Sequence, residues 1–351
     1  MKVLFLTKYS ALGASSRLRT FQYLPFYREA GIECIVEPFF NDSYLERLYN
    51  GKGIHLLVFS FYLKRLLVLL SILKYDKIYI EKEIFPYLPP FAEWILFLLK
   101  KKYIVDYDDA IFHNYDRNKN VIVRIFLKNK IDSVMKYAEV VIAGNAYLAQ
   151  RATDAGAKHT EIIPTVVDLK RYTVRSEKKE DVFVIGWIGT KSTFEKHLLS
   201  IKDWLIKAQQ LLNVELHVIG ITKTEVFLGD HVKLIPWTEN TEVAHLSKFD
   251  VGIMPLRDSP WERGKCAYKI IQYFAVGIPV IASDVGMNAE VCINGETGFL
   301  ANTEEGFLGA LKFLITHEDT RKEMGMKGRK VVEKTFNVEA TSKILTNIIL
   351  N

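Results

Sequence analysis

Cysteine is scarce in this chain of 351 residues. The three cysteines, Cys34, Cys266 and Cys292, have neither the spacing of a metal site nor that of a redox pair. An odd number also argues against a framework of disulfides. The scarcity indicates a protein of the reducing cytoplasm.

The sequence also lacks an uninterrupted apolar run of membrane-spanning length. The opening MKVLFLTKYS is broken by Lys8, so it predicts a first β-strand and not a secretory signal. Residues 54–73 are nearly long enough to span a bilayer, but Lys64 and Arg65 stand at their centre, where charge is costly in hydrocarbon. Two alternatives stay open for this segment: a helix packed within its domain, or a helix lying in the membrane interface.

A second segment, residues 85–103, combines aromatic side chains with the cluster Lys100-Lys101-Lys102. Such a combination suits anionic lipid headgroups. The formal charge is +6, and it is concentrated in residues 1–175, which hold 26 Lys and Arg against 18 Asp and Glu. No arginine-rich run with interleaved aromatics is present, so nucleic acid is not an expected partner. An anionic membrane surface or a phosphorylated acceptor fits the charge better.

Twelve short apolar segments alternate with helical patterns along the chain, in two series of six. Strands separated by helices predict βαβ units and parallel sheets. The fold class is therefore α/β, with two Rossmann-like, doubly wound domains that face each other across a cleft. We predict an acceptor domain over 1–174, a linker over 175–181, a donor domain over 182–336 and a C-terminal helix over 337–351 that returns to the first domain.

The second domain opens with VFVIGWIGTKSTFEKHLL, in which a strand ends before Gly189 and a helix follows. Ser192 or Thr193 is the expected N-cap, and Lys191 can reach an anion bound at the helix end. A P-loop is not indicated, because no glycine stands directly before the lysine. The alternative is an ordinary capped helix with a solvated lysine.

The stretch RGKCAYKIIQYF predicts a helix over 265–274 that places Lys265, Lys269 and Gln272 on one face. With Arg263, the two lysines can neutralise a diphosphate without a metal ion. The alternative is that these side chains extend to solvent along their aliphatic stems. The only acidic cluster, at Asp106, Asp108 and Asp109, lies in the other domain.

LGASSRLRT follows the first strand, so it should lie at the carboxyl edge of the sheet. Gly13 permits close backbone approach, and Arg17 and Arg19 can bind a phosphate on the acceptor. The alternative is a helix start with two exposed arginines.

Several motifs in order resemble glycosyltransferase family 4, whose members are retaining enzymes of the GT-B fold. The motifs are LGASSRLR, VDYDDA, IPTVVDLKRY, GWIGTKST, QYFAVGIPVIASDVG and NGETGFL. The resemblance implies transfer of a sugar from a nucleotide diphosphate sugar, retention of anomeric configuration and no essential metal or other cofactor. It implies that Lys265 and Lys269 assist the departing diphosphate, and that the remaining donor-binding residues are Gly189, Thr190, Lys191, Ser192, Arg263, Gln272, Gly286, Met287, Asn288 and Glu290.

Two positions depart from the family pattern. The paired glutamates of the family align with Gly264 and Gln272, so both carboxylates are missing, although Gln272 can still bind a ribose hydroxyl. Where many members have a histidine near the reacting sugar, this chain has Asp108. Asp108 can accept the acceptor's proton or stabilise positive charge on the sugar, and the alternative is a helix cap. His113 is a second candidate base.

The sequence thus predicts a cytoplasmic, peripherally membrane-associated glycosyltransferase that builds surface polysaccharide or lipid-linked oligosaccharide on a glycan or polyprenyl-diphosphate-linked acceptor. Two other functions stay open. One is a nucleotide-sugar epimerase on the same scaffold. The other is a non-catalytic sugar-nucleotide binder, which the missing glutamates favour.

Overall fold

The computed structural model describes residues 1–49, 55–175 and 182–351. Its two sheets contain six strands each, and every strand pairs with its neighbours in parallel. All twelve predicted strands are present. The α/β fold class with two doubly wound sheets is therefore confirmed.

The chain divides into two compact units. The first comprises Met1–Thr165, Gly264–Cys266 and Val338–Asn351, and the second comprises Val166–Arg263 and Ala267–Asn337. Apart from Arg175, the predicted linker over 175–181 lies outside the described residues.

The first unit contains six strands and ten α-helices among the described residues. They are β1 Lys2–Leu6, α1 Ala14–Arg19, α2 Leu24–Glu29, β2 Glu33–Val36, α3 Asp42–Tyr49, α4 His55–Leu70, β3 Lys77–Glu81, α5 Phe91–Leu98, β4 Tyr103–Tyr107, α6 His113–Asp116, α7 Val121–Leu127, α8 Lys130–Tyr137, β5 Val140–Ala143, α9 Ala146–Asp154, β6 Thr160–Ile162 and the C-terminal helix Val338–Leu350, which is α18 in chain order.

Among the described residues, the second unit holds the other six strands and eight α-helices. They are β7 Phe183–Ile188, α10 Lys191–Lys196, α11 Lys202–Leu211, β8 Val214–Ile219, β9 Val232–Ile235, α12 Glu242–Leu246, β10 Val251–Met254, α13 Pro260–Arg263, α14 Tyr268–Ala275, β11 Val280–Ala282, α15 Met287–Val291, β12 Gly298–Leu300, α16 Glu304–Thr316 and α17 Glu318–Thr335.

The strands form where apolar, β-branched residues run continuously, as in Val140–Ala143, which is buried along its whole length. Such runs are typical of parallel strands covered by helices on both faces. Each fully buried aliphatic side chain contributes about 1.5–3 kcal/mol to folding. These strands therefore supply most of the core of each unit.

The C-terminal helix α18 packs on α2 in the first unit. The Tyr23 hydroxyl lies 2.9 Å from Thr341 Oγ1, and both groups are buried. A buried hydroxyl needs such a partner to offset its desolvation. This contact fixes the end of the chain on the first unit.

The strand order in the first sheet is β2-β1-β3-β4-β5-β6, and in the second it is β12-β11-β10-β7-β8-β9. The direction of winding therefore reverses between β1 and β3, and again between β7 and β10. Ligands of open α/β sheets bind beyond the carboxyl ends of the strands at such a reversal. No described helix is both long enough and apolar enough to cross a membrane.

Candidate functional site

In the first unit, the loops beyond β1, β3 and β4 carry a cluster of ionised side chains. Lys82 Nζ lies 2.8 Å from Asp108 Oδ1 and 3.7 Å from Asp109 Oδ2. Ser15 Oγ donates to Asp108 Oδ2 at 2.6 Å, and Lys265 Nζ lies 3.6 Å from Asp109 Oδ1. These five residues form what we call the Lys82 cluster, at the position where the sheet topology predicts a ligand site.

The backbone at Lys82 is strained. Its φ is +67°, and Glu83 N donates to Glu81 O at 2.7 Å across it, which closes a three-residue γ-turn. A residue other than glycine in this region costs about 1–3 kcal/mol, and such strain concentrates at functional sites. The bond from Lys82 N to Asp106 O, 2.9 Å long, helps to hold the turn in place.

Burial and charge act in opposite directions on Asp108. Burial disfavours its ionised form, but the Lys82 ammonium and the Ser15 hydroxyl outweigh that effect and hold the pKa of Asp108 well below its usual range. Lys8 belongs to the same surroundings, and burial together with Lys82 lowers the pKa of its ammonium. Asp108 is consequently a carboxylate at neutral pH and a weak proton acceptor.

The segment LGASSRLRT begins α1, with Gly13 as its N-cap. A side chain at Gly13 would collide with the Tyr9 ring. Arg17 donates weakly to Ala11 O and Leu12 O. The segment therefore packs its glycine tightly and keeps Arg17 near the surface.

Arg19, in contrast, is 2% exposed and is bound to Asp106. Its Nε donates to both carboxylate oxygens at 3.1 and 3.0 Å, and its Nη1 donates to Ile163 O at 2.9 Å. The Tyr79 hydroxyl donates to the same carboxylate at 2.6 Å. This arrangement assigns Arg19 to the interior of the first unit, and Asp106 with it.

Glu81 is a second buried carboxyl group beneath the Lys82 cluster. It accepts hydrogen bonds from Ser16 Oγ, Thr20 Oγ1 and the backbone N–H of Lys8. Burial outweighs these bonds and raises the pKa of Glu81 to about 7. Glu81 thus connects the loop after β1 and helix α1 to the end of β3.

His113 has a partner on each ring nitrogen. Nδ1 lies 2.8 Å from Asp116 Oδ1, and Nε2 lies 2.9 Å from the Tyr147 hydroxyl. Burial lowers the pKa of His113. These contacts indicate a structural histidine.

The segment Gly264–Cys266 belongs to the first unit. A side chain at Gly264 would collide with Ala110, so a glutamate cannot stand there in this conformation. Cys266 Sγ donates to Asp108 O at 3.2 Å, and Asn145 Nδ2 donates to Lys265 O at 3.1 Å. The segment is therefore closely packed within the first unit.

The predicted helix over 265–274 was wrong at its start. Helix α14 begins at Tyr268, and Ala267 before it has a left-handed φ of +48°. Lys265 therefore does not share a helical face with Lys269 and Gln272. The helical periodicity could not reveal that Gly264–Cys266 belongs to the first unit.

In the second unit, the loop after β7 leads into α10. Thr190 is the N-cap and Thr193 completes a capping box, so the predicted cap at Ser192 or Thr193 was two or three residues too late. Lys191 extends into solvent with 83% of its side chain exposed, 4.0 Å from Glu195 Oε1, and Ser192 is also exposed.

Gly189 is fixed by close packing: a side chain there would collide with the Trp187 ring. Gly220, with φ of +97°, has no room for a side chain because Gly189 O lies against it. Two backbones therefore approach closely beyond β7 and β8, which is what glycine permits.

Three more predicted donor residues have partners within the second unit. Arg263 Nε lies 2.8 Å from Asp258 Oδ1 in a half-exposed pair. Lys269 Nζ stands 5.6 Å above the Trp187 ring. Gln272 is 3% exposed and donates from Nε2 to the Tyr172 hydroxyl at 3.0 Å.

The segment after β11 supplies the last four predicted donor residues. Gly286, with φ of +52°, caps α15, and a side chain there would crowd the Arg263 backbone. Met287 and Asn288 are buried, and Asn288 Nδ2 donates to Met254 O at 3.2 Å. Glu290 is exposed. The structure thus brings Arg263 beside Gly286, and it turns Met287 and Asn288 inward.

The sequence did not identify Lys82, Ser15 or Glu81 as part of this region. A signal was available in KIYIEKE, where charged residues follow a buried strand directly. In residues 1–49, 55–175 and 182–351, no three His, Cys, Asp or Glu side chains gather as a metal site would require.

Comparison with known proteins matches residues 179–317 to the family model described as "Glycosyl transferases group 1". The capsular polysaccharide biosynthesis glycosyltransferase CapM of Staphylococcus aureus is 30% identical over 166 residues, which is 45% of this chain and 43% of CapM. The chain thus matches less than half the length of CapM. An uncharacterized 41.2 kDa protein in the cps region of Klebsiella pneumoniae is 27% identical over 265 residues, covering 68% and 69% of the two chains.

Among solved structures, Anabaena Alr3699/HepE in complex with UDP superposes with a TM-score of 0.73 at 16% identity, over 99% of each chain. At this identity the likeness concerns the fold alone. The chain thus has the GT-B fold, and its residues 179–317 are similar to the group 1 glycosyl transferases.

Proposed function

We propose that the protein is a retaining glycosyltransferase of family 4, hexosyltransferase-like, that transfers a sugar from a nucleotide diphosphate sugar to a glycan or lipid-linked acceptor during surface polysaccharide synthesis. The observation that carries the proposal is the match of residues 179–317 to the group 1 glycosyl transferases. The relative CapM, whose name places it in capsular polysaccharide biosynthesis, supports the choice of pathway class.

The donor is a nucleotide diphosphate sugar bound by the second unit. Two neighbours of the same fold are structures of HepE with UDP and with UDP-glucose. Lys191, Arg263 and Lys269 provide cationic side chains near the carboxyl ends of β7 and β10. Charge-assisted hydrogen bonds contribute about 1.5–3 kcal/mol each, so three of them contribute about 4.5–9 kcal/mol, against about 8 kcal/mol for micromolar binding of a diphosphate. These cations can take the place of a metal ion, and we propose that none is required.

In the reaction, the bond from the anomeric carbon to the diphosphate oxygen breaks, and a bond from the same carbon to the acceptor oxygen forms on the same face. The acceptor hydroxyl loses its proton. A phosphate oxygen titrates near pH 6, whereas the pKa of Asp108 lies well below its usual range. The departing diphosphate is therefore the better proton acceptor.

The role we assign to Asp108 is electrostatic. Its carboxylate, held by Lys82 and Ser15, stabilises the positive charge that develops on the sugar as the glycosidic bond breaks. Because both oxygens have fixed donors, the carboxylate needs little reorganisation during the reaction. Preorganisation of this kind is a major source of rate enhancement.

The acceptor is expected to carry phosphate, for example as a polyprenyl-diphosphate-linked glycan at the cytoplasmic face of the cell membrane. The excess of eight positive charges in residues 1–175 supports an anionic acceptor or surface. Arg17, on α1, is the acceptor-side residue that remains partly exposed, whereas Gly13 is buried against Tyr9.

A thermal-shift screen of the full chain with UDP, GDP, ADP and their sugars tests the donor. A ligand at 100 times its Kd adds about 2.7 kcal/mol of stability, so the correct nucleotide should raise the Tm by several degrees. Product analysis with the selected donor then tests transfer. Release of nucleoside diphosphate together with an α-linked or β-linked product of unchanged configuration is expected, and inversion would contradict retention.

A non-catalytic sugar-nucleotide binder is the second candidate function. Gly264 favours it, because this position cannot hold the carboxylate that the family uses. The binder should show the same thermal shift but no turnover on any acceptor pool. An epimerase would change the sugar without releasing the nucleoside diphosphate.

A further inference from the structure

Three helices of the first unit expose apolar side chains in regular stripes. Phe59, Leu98 and Phe126, one on each of α4, α5 and α7, are 75%, 76% and 75% exposed. The stripes follow helical spacing and comprise Phe59, Leu63, Leu66, Leu67 and Leu70 on α4, Trp94, Ile95, Leu98 and Leu99 on or beside α5, and Val121, Ile122, Ile125 and Phe126 on α7. Contiguous apolar patches of this kind mark interaction sites on soluble proteins.

Helix α4 is apolar on nearly every side, and its buried face carries an arginine. Arg65 is 3% exposed and donates from Nη2 to Thr7 O and Glu37 O at 3.0 Å each. The leucines of the stripe lie on the exposed side together with Lys64. A helix that only packs on its own domain turns its charged residues to water and its leucines inward. The exposed leucines of α4 depart from this pattern.

The three helices cover the same face of the first sheet. The connections from β2 to β3, β3 to β4 and β4 to β5 all advance in the same direction along the order β2-β1-β3-β4-β5-β6. Because parallel crossovers are right-handed, their helices lie on one side of the sheet. The connection from β1 to β2, which contains α1 and α2, runs in the opposite direction and covers the other side.

Side-chain contacts join these helices into one layer. The rings of Tyr62 on α4 and Phe85 stack at 6.0 Å, and Phe85 stacks on Phe91 of α5 at 5.3 Å. Trp94 Nε1 donates to Ser133 Oγ of α8 at 2.7 Å. Since α8 follows α7 after two residues, the stripes belong to neighbouring elements. We call the exposed apolar side chains of α4, α5 and α7 the apolar face.

Cations predominate around the apolar face, although two of them pair with carboxylates. The segments 55–75, 87–102 and 117–128 contain three, three and four Lys or Arg residues, of which Arg65 is buried, and their one acidic residue, Glu93, is also buried. Lys64 and Lys102 are exposed and lie 3.0 and 2.5 Å from Glu37 and Glu139, and Lys128 is also exposed. Apolar side chains beside long cationic ones match an anionic lipid surface, where the chains enter the acyl boundary and the ammonium groups reach the headgroups.

We propose that the apolar face docks on an anionic lipid bilayer, with α4, α5 and α7 lying in the interfacial plane. The sequence left the position of residues 54–73 open and did not suggest α7 at all. The inference rests on the proposed function only in explaining why docking is useful, since it would hold the enzyme where a lipid-linked acceptor resides.

The loop after β3 connects the apolar face to the Lys82 cluster. Lys82 lies at its beginning, and Tyr87 and Leu88, both exposed, lie five and six residues later. Tyr87 also has a left-handed φ of +58°, and its N–H donates to the Tyr115 hydroxyl at 3.0 Å. A docked acceptor would therefore place its lipid at Tyr87 and Leu88 and its polar end toward Asp108.

The test is flotation of the full chain with vesicles of phosphatidylcholine alone and with equal parts of phosphatidylglycerol. We expect binding to the anionic vesicles at least tenfold tighter than to the neutral ones. The triple variant Leu67→Glu, Leu98→Glu, Phe126→Glu should bind at least tenfold more weakly. The matched control Leu211→Glu, Phe227→Glu alters exposed apolar residues of the second unit and should bind as the unaltered protein does.

All variants should melt within a few degrees of the unaltered chain, because every altered side chain is at least half exposed. If the triple variant unfolds, the variant Lys119→Glu, Lys128→Glu, which changes only surface charge, takes its place, and it should bind anionic vesicles at least fivefold more weakly. No binding by the unaltered chain, or equal binding to both vesicles, would overturn the proposal. So would self-association of the unaltered chain that the triple variant abolishes, since the occupant would then be a second copy.

Failure of the proposed function gives a different result. In that case the unaltered chain binds anionic vesicles but transfers no sugar to either a soluble or a vesicle-embedded acceptor. If both proposals hold, the triple variant keeps transfer to a short, water-soluble acceptor and loses most transfer to the embedded one. Equal loss on both acceptors would count against docking.

Discussion

The two units share one architecture and differ in their surfaces. Each has a six-stranded parallel sheet with a single reversal of winding. Among the described residues, seventeen exposed large apolar side chains lie between Phe59 and Phe126 of the first unit, whereas the whole second unit has six, scattered along it. Sheet and topology therefore do not determine what a unit contacts; the outer surfaces of its helices do.

The charged groups differ in the same way. In the first unit, Lys82 and Asp108 pair at 2.8 Å with 6% and 13% of their side chains exposed. In the second unit, the pair of Arg263 and Asp258 is about half exposed, and Lys191 is mostly in solvent. The first unit thus offers a fixed electrostatic environment, and the second offers cations that can move onto a ligand.

The largest effect is expected when a buried ion pair of the first unit is broken. Arg19→Met removes the partner of Asp106, whose oxygens both bind Nε. An uncompensated buried charge costs about 3–5 kcal/mol. Denaturant unfolding should show a loss of that size in the free energy of unfolding.

The counterpart in the second unit sharpens the comparison. Arg175→Met removes a looser ion pair, because Arg175 Nη1 lies 3.5 Å from Asp250 Oδ1. A second cation remains near the same oxygen, since Arg321 Nη2 lies 4.0 Å from Asp250 Oδ1. Denaturant unfolding should therefore show a smaller loss in the free energy of unfolding than for Arg19→Met. An equal loss would mean that the two units do not differ in how they hold charge.

The second effect concerns catalysis by the fixed charge. Asp108→Asn removes the negative charge and keeps the shape, so we expect the transfer rate to fall about 100- to 1,000-fold with little change in nucleotide affinity. Steady-state kinetics with the donor selected by thermal shift measures it. Asp319→Asn, which alters an exposed carboxylate on α17 of the second unit, is the control and should leave the rate within threefold.

The third effect is on the pH dependence of stability. The pKa of Glu81 is about 7 in the folded protein, against an ordinary value of 4.5. The folded state therefore binds more protons between these values, so stability is greatest below pH 4.5 and falls as the pH rises to about 7, by about 3 kcal/mol at most.

The variant Glu81→Gln cannot titrate and should remove this part of the slope. Thermal melts of both proteins at pH 5, 6, 7 and 8 measure it. The Tm of the variant minus the Tm of the unaltered protein should increase as the pH rises. A difference that stays constant with pH would show that Glu81 is ionised throughout.

The smallest effect tests the cations of the second unit. Lys269→Met keeps the aliphatic stem above Trp187 and removes the ammonium group. Loss of one charge-assisted bond should weaken nucleoside diphosphate binding about 10- to 100-fold by calorimetry. Lys312→Met, on the exposed side of α16, is the control. Unchanged affinity in Lys269→Met would exclude this lysine from the donor site.

Much of the candidate site could be predicted, but its partners could not. Asp108 was identified because it stands where many members of the resembled family have a histidine, at the end of an apolar strand. Lys82 was not, although it contacts Asp108, because 25 residues separate them in the chain and no local pattern connects them. Arg19 was expected to bind a phosphate, yet Asp106 holds it in the interior.

The extent of helix α14 gives the same lesson. Its apolar period extends toward Lys265, but the helix begins only at Tyr268 because Gly264–Cys266 packs on Asp108, Ala110 and Asn145. The buried face of helix α4 was also not predictable from the sequence. The helix is apolar on nearly every side, so its periodicity does not show which face is inward. The burial of Arg65 in the structure identifies that face.

The amino-acid sequence by itself determined the twelve strands, their parallel arrangement in two sheets and the loops that follow them, because continuous apolar runs and glycine positions act over a few residues. Only the tertiary structure decided which charges are paired and which apolar stripes are left outside. Those outcomes depend on side chains far apart in the chain that meet at a sheet edge, where desolvation and ion pairing, not local propensity, set the free energy.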